Sequence, residues 1–277
     1  MKEILTNRTA KALLLERPIM GVRVIPYKDE FENINAEIFP HKSSFCHMVN
    51  FAMQGKVIKS MIDQFACSGS AEALGIAPPV EASKSGRIYE ASGLYASRIV
   101  GRKVIESAKH LNTRNYGVKI APLPMIDEAD MVMIVCNARQ AMRIMQGYIY
   151  HYGPPENLLT NGIQAVCSDM FSKPFMNNDM NISFLCAGAR MRLKASDGEL
   201  GIAVPVHMFD NVMDGVLKTL NYMELNDMKE RILNGLDTPD ELGFQIDPKV
   251  HYGKACATYR KYADNQSEKG DNYEKKS

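Results

Sequence analysis

The chain has 277 residues, 45% hydrophobic and 23% charged, with a formal net charge of +1. Such a chain can bury a sizeable core, which excludes a wholly disordered protein, and its near-neutral charge offers no broad field for nucleic acid or an anionic membrane surface. No stretch approaches the roughly 20 apolar residues of a membrane helix, and Ala12 to Leu15, followed at once by Glu16 and Arg17, is too short for a signal-peptide core. A cytoplasmic protein that binds neither nucleic acid nor membrane is expected.

Ile19 to Pro26 is β-rich and ends at proline, Phe45 to Gly55 has helical spacing of apolar residues, and Ser70 to Leu74 reads as the first turns of another helix. Tyr95 to Leu111 reads as an amphipathic helix with Arg98, Arg102, Lys103 and Lys109 among its polar positions. Val118 to Pro122 and Met131 to Cys136 are apolar runs of strand length. Ala138 to Tyr150 is a helix with Asn137 as N-cap, stopped before Gly153-Pro154-Pro155. Met180 to Leu185 and Leu200 to Val204 read as strands, Lys194 to Gly198 as a turn, and Val206 to Met223 as a long amphipathic helix. The pattern predicts an α/β fold, an α+β mixed sheet with covering helices. It is expected to form a single domain over residues 1–254, with residues 255–277 a polar, flexible tail.

The six cysteines are Cys46, Cys67, Cys136, Cys167, Cys186 and Cys256. Without an export signal, a disulfide framework is not their expected use. Four of them fall into an internal repeat. Cys46 opens a helical stretch and is followed by Phe65-Ala66-Cys67-Ser68-Gly69 and then Leu74-Gly75-Ile76. Cys167 opens a similar stretch and is followed, at nearly the same distance, by Phe184-Leu185-Cys186-Ala187-Gly188 and then Leu200-Gly201-Ile202. This predicts two pseudo-symmetric repeats in one domain, about residues 15–115 and 116–225, the second continued by C-terminal helices.

A cysteine at a strand end followed by x-Gly sits on a turn that opens a helix, and the free N–H groups there favour a thiolate and can donate to cluster sulfides. If the halves pack face to face, Cys46, Cys67, Cys167 and Cys186 converge as four soft ligands for an iron–sulfur cluster, with zinc as the alternative. Cys136, inside a strand, and Cys256, beside the tail, have no counterpart in the repeat. The 18 methionines and absent tryptophan suit an anaerobe spared oxidative damage.

Asn137, Arg139 and Arg143 begin a helix directly after a strand, where α/β proteins bind anions, and Arg190 lies four residues after Cys186. These four are the candidate binders of a small anionic substrate. The histidines have no metal-ligand spacing; His47, beside Cys46, is the one candidate acid or base. Nucleotide-binding, hydrolase-elbow and zinc-protease motifs are absent from the sequence.

On these residues the chain resembles the domain of unknown function 169 family, from about Pro18 to Leu220. The matching points are the Cys46 helix, the Phe-x-Cys-x-Gly turn at Cys67, Ala73-Leu74-Gly75, and Asn137 to Tyr148 (NARQAMRIMQGY). They continue with Cys167-Ser168, the Cys186-x-Gly-x-Arg190 turn and the strand ending at Pro205. Ser68 departs from the family's usual turn, where a proline is common. The resemblance implies a family-type site at the four cysteines and Arg190 and names no reaction.

Three functions are therefore expected. The first is an oxidoreductase or cluster-dependent enzyme with an electron-transfer partner. The others are a non-catalytic ligand-binding or sensory protein with structural zinc, and a thiol–disulfide redox protein. Any of the three can be a homo-oligomer.

Overall fold

The computed structural model of the chain describes residues 2–112, 114–250, 253–254, 257–258 and 261. Seven strands make one sheet: β1 (Met20–Ile25), β2 (Glu37–Ile38), β3 (Ile58–Met61), β4 (Gly117–Pro122), β5 (Met131–Asn137), β6 (Asn181–Ser183) and β7 (Glu199–Pro205). Their order is β2-β3-β4-β1-β5-β7-β6. Every neighbouring pair is antiparallel except β2 with β3. Helices cover both faces, and the central β5 reads as a continuous apolar run from Met131 to Cys136 without polar alternation. β4 and β7 both end at a proline, Pro122 and Pro205, which has no N–H to carry a ladder further.

Leaving β2 aside, the order reads the same from either edge. β1 and β5 pair at the centre with Met20 opposite Met133. β4 and β7 flank them, and β3 and β6 lie outside those. Each strand of residues 20–122 thus has a positional counterpart in residues 131–205, in the same chain order.

Side chains alternate across each strand, so the sheet carries two separate cores. Along β5, Val132, Ile134 and Cys136 point to one face and pack with Ile144, Phe209 and Val212. That face is covered by the helices Lys2–Leu13, Ala138–Tyr152 and Val206–Met223. Met131, Met133 and Val135 point to the other face and pack with Phe45, Cys46, Cys167 and Phe171. The helices there are Phe45–Ala52, Ser68–Ala73 and Ala187–Leu193, with a π-helix at Ala165–Ser172.

The expected capping box is present. The Asn137 side chain accepts from Gln140 N (3.0 Å), and Gln140 Oε1 accepts from Asn137 N (2.8 Å). This helix then crosses Val206–Met223 backbone to backbone. A Cβ on Gly147 would overlap the Val212 carbonyl, and one on Gly215 would overlap the Gly147 carbonyl.

Two features depart from the expected elements. The stretch opened by Cys167 is a π-helix, and the helix expected over Tyr95 to Leu111, found at Arg98–Ser107, is joined by two unexpected short helices, Glu81–Lys84 and Arg87–Ala91, in an arm of three between Ser68–Ala73 and β4. Cys256 and, apart from Lys261, the tail from residue 259 lie outside the described residues.

Candidate functional site

Four short local structures bring the cysteines together. The Ser44 side chain caps Phe45–Ala52 by accepting from His47 N (3.4 Å), which sets Cys46 in the first helical turn. Cys67 and Cys186 are themselves the N-cap residues of Ser68–Ala73 and Ala187–Leu193. Cys167 lies inside the π-helix, its thiol directed to the Gly69 carbonyl at 4.0 Å. Ala187–Leu193 packs against Phe45–Ala52, and the π-helix packs against both Phe45–Ala52 and Ser68–Ala73. One cysteine from each segment therefore meets on the same face of the sheet.

The two buried thiols, Cys46 and Cys167, feel charge on the other cysteines. Burial, with charge on Cys186 and Cys67 adding to it, pushes the Cys46 thiol up to about 12. Burial also raises Cys167 well above the ordinary thiol value, with Cys46, Cys67 and Cys186 all adding to the effect. Desolvation outweighs the hydrogen bonds that favour the thiolate at both residues, and both thiols are neutral at pH 7 unless a cation compensates. The group is graded in depth: Cys167 and Cys46 are 3% and 8% exposed, Cys186 is half-buried and Cys67 is exposed. Among the described residues, no three His, Cys, Asp or Glu side chains meet closely enough to hold a single metal ion.

The backbone and hydrogen bonding around the cysteines are also unusual. Leu185, immediately before Cys186, has φ of 63°, and Gln164, which precedes the Cys167 π-helix, has φ of 50°. Non-glycine residues pay for this conformation, and such strain concentrates at working sites. The Gln164 Nε2 is buried without a hydrogen-bond partner among the described residues. A Cβ on Gly69 would lie 3.0 Å from that nitrogen, so glycine is what lets the two segments close on each other beside Cys167.

Beside Cys67 a cleft of about 420 Å³ opens to solvent, lined by His41, Lys42, Ser43, His47, Cys67 and Arg192. Its formal charge is positive. Ser43 Oγ and His47 Nδ1 are 2.8 Å apart, and the His41 and His47 rings lie 5.5 Å centre to centre. Burial lowers the His47 pKa, and His41, Arg192 and Lys194 lower it further, so His47 is neutral and able to accept a proton at pH 7. Lys42 and Arg192 come from opposite halves of the chain, so no local motif announced them.

Residues 9–215 match the family described as an uncharacterised ArCR, the domain of unknown function 169 family. The chain belongs to that family. An uncharacterized protein of Methanocaldococcus jannaschii is 22% identical over 213 residues, which cover 76% of this chain and 91% of that protein. No solved structure matches. All four cysteines fall within the family's span.

So do the four residues expected to bind an anion, but the fold engages them elsewhere. Asn137 is occupied by its capping box. Arg139 pairs with Glu224 at 2.7 Å and donates to the Leu13 carbonyl at 2.7 Å. Arg143 is 1% exposed and donates to the Val216 carbonyl (2.8 Å) and Thr219 Oγ1 (3.1 Å), with Glu224 at 3.5 Å. These three lie on the helix that covers the face opposite the cysteines. Arg190 is on the cysteine side, but it donates to the carbonyls of Ser196 (2.9 Å), Phe184 (2.8 Å) and Glu199 (3.2 Å), clamping the Cys186 turn to the start of β7.

Proposed function

We propose that Cys46, Cys67, Cys167 and Cys186 hold an iron–sulfur cluster, and that the protein acts on a small anionic substrate in the adjoining cleft as an oxidoreductase or cluster-dependent enzyme. The observation that carries this is the meeting of four thiols, two from each half of the chain, on one face of the sheet. The donor set fits such a group. Soft thiolates select iron–sulfur clusters, and Gln164 Nε2 is a spare buried donor next to them.

A bound cluster supplies one-electron transfer, exchanged with a partner protein, or a Lewis-acidic iron. The chain's own residues supply the rest. Lys42 and Arg192 fix the anion beside Cys67, the exposed edge of the site, through charge-assisted hydrogen bonds. His47, oriented by Ser43, exchanges a proton with the substrate. Cys46 and Cys167 form the dry inner wall, where low dielectric strengthens these interactions.

Purification without oxygen tests the proposal. Iron, acid-labile sulfide and a broad visible charge-transfer absorbance are expected together. A colourless protein with stoichiometric zinc would replace the cluster with a structural metal, and a metal-free protein with reducible Cys46–Cys67 or Cys167–Cys186 bonds would make it a dithiol protein.

A further inference from the structure

A larger cavity, of about 650 Å³, is formed by the helical arm and the segments that flank it, from Pro79 to His110. Lys84, Arg98, Arg102 and His110 line it, together with the apolar Pro79 and Ile105. Its acidic residues are Glu81 and Glu106, and Glu106 is paired with Arg102 at 2.7 Å. Arg98 donates Nε–H to the Ser85 carbonyl at 3.3 Å and keeps its terminal nitrogens for another acceptor. Lys84 makes no ion pair among the described residues.

The wall behind this cavity is incompletely satisfied. Three buried side-chain atoms lack a hydrogen-bond partner among the described residues, and two of them, Glu72 Oε2 and Gln164 Nε2, belong to side chains neighbouring His110. His110 Nε2 lies 2.8 Å from Gln164 Oε1. Glu72 is 2% exposed and feels the charges of His110 and Lys84, and burial raises its pKa. Its one hydrogen bond is accepted from Val80 N at 3.3 Å, in the chain segment that forms the cavity's edge. Buried polar atoms are rarely left unpaired, and when they are they mark places where an absent partner belongs.

We propose that this cavity is a second binding site, for a small molecule that carries a phosphate or carboxylate on an apolar body. Arg98, Arg102 and Lys84 meet the anionic group, Pro79 and Ile105 pack on the apolar part, and His110, backed by the buried Glu72, is the polar floor. The inference stands whether or not the cysteines hold a metal, because the residues that line the cavity include no cysteine.

Calorimetric titration of the full chain, as purified, with phenyl phosphate, benzoate and inorganic phosphate tests it. Phenyl phosphate or benzoate should bind, and Arg98→Ala/Arg102→Ala should weaken that binding at least about tenfold. Lys42→Ala/Arg192→Ala, which removes the anion binders of the other cleft, should retain the binding that Arg98 and Arg102 govern. Glu72→Gln should keep the anion affinity and alter only the proton release that accompanies binding. Absence of binding by all three probes at about 10 mM would overturn the site. So would binding abolished by the Lys42/Arg192 pair and retained in the Arg98/Arg102 pair. In the Lys42→Ala/Arg192→Ala background, where the other cleft no longer holds an anion, inorganic phosphate binding as tightly as phenyl phosphate would also refute it, because the apolar wall would then contribute nothing.

Discussion

The two faces of the sheet are built to different standards. On the face under Ala138–Tyr152 and Val206–Met223 the buried charges have partners: Arg139 and Arg143 share Glu224, and Arg143 also holds the carbonyl of Val216. The two helices meet glycine to glycine, which leaves no room for a ligand. On the other face, four thiols lie within electrostatic reach of one another, two non-glycine residues beside them have positive φ, and Glu72 and Gln164 each keep an unpaired buried atom. A satisfied layer stabilises the fold, whereas an unsatisfied and strained one marks where the molecule works. The contrast also explains Cys136. It is as buried as Cys167, but β5 alternation turns it to the satisfied face.

The sharpest way to break this comparison is through Arg143. Arg143→Leu leaves Glu224, 1% exposed, with only the half-exposed Arg139, and should cost about 3 kcal/mol in urea denaturation. Iron per folded chain should not change. A variant that loses metal before it loses stability would mean the faces are coupled. Gly147→Ala should cost about 2 kcal/mol by prising the two helices apart, again without effect on metal content.

A gentler test is alkaline. Cys46 titrates at about 12 in the folded chain against an ordinary value of 9.0, and Cys136 on the opposite face is raised to about 12 as well, mainly by burial. Above pH 9 the unfolded chain releases these protons and the folded chain keeps them. The stability of metal-free protein is thus complete below that pH and falls as pH rises toward the folded values, by at most about 1.4 kcal/mol per pH unit for each thiol. Denaturation midpoints measured from about pH 8 to about pH 10 should show this slope. Metal loading should remove the shares of Cys46 and Cys167, whose protons have already been displaced, and leave that of Cys136.

Much of this was legible in the sequence where one segment decides its own structure. Val206–Met223 and the Asn137 cap follow from local periodicity and from a side chain three residues from its acceptor. β3 was not legible, because Lys59 within it reads as a solvent-facing charge. Its ammonium is in fact buried, donating to the carbonyls of Phe31 (2.8 Å) and Ile34 (2.9 Å). The π-helix at Cys167 escaped because its pattern differs little from an α-helix over eight residues. The four cysteines were readable because they recur, whereas the anion cleft was not, because Lys42 and Arg192 meet only in the fold. Arg139 and Arg143 looked available for the opposite reason: Glu224, their partner, lies far along the chain.

The central claim concerns one group of four cysteines, and iron and sulfide counting on oxygen-free protein addresses it most directly. Wild-type chain and Cys136→Ser should contain the same iron and acid-labile sulfide, while Cys67→Ser, an exposed change with little effect on stability, should lose most of both. Equal iron and sulfide in Cys67→Ser and wild type, or none in either, would contradict the account.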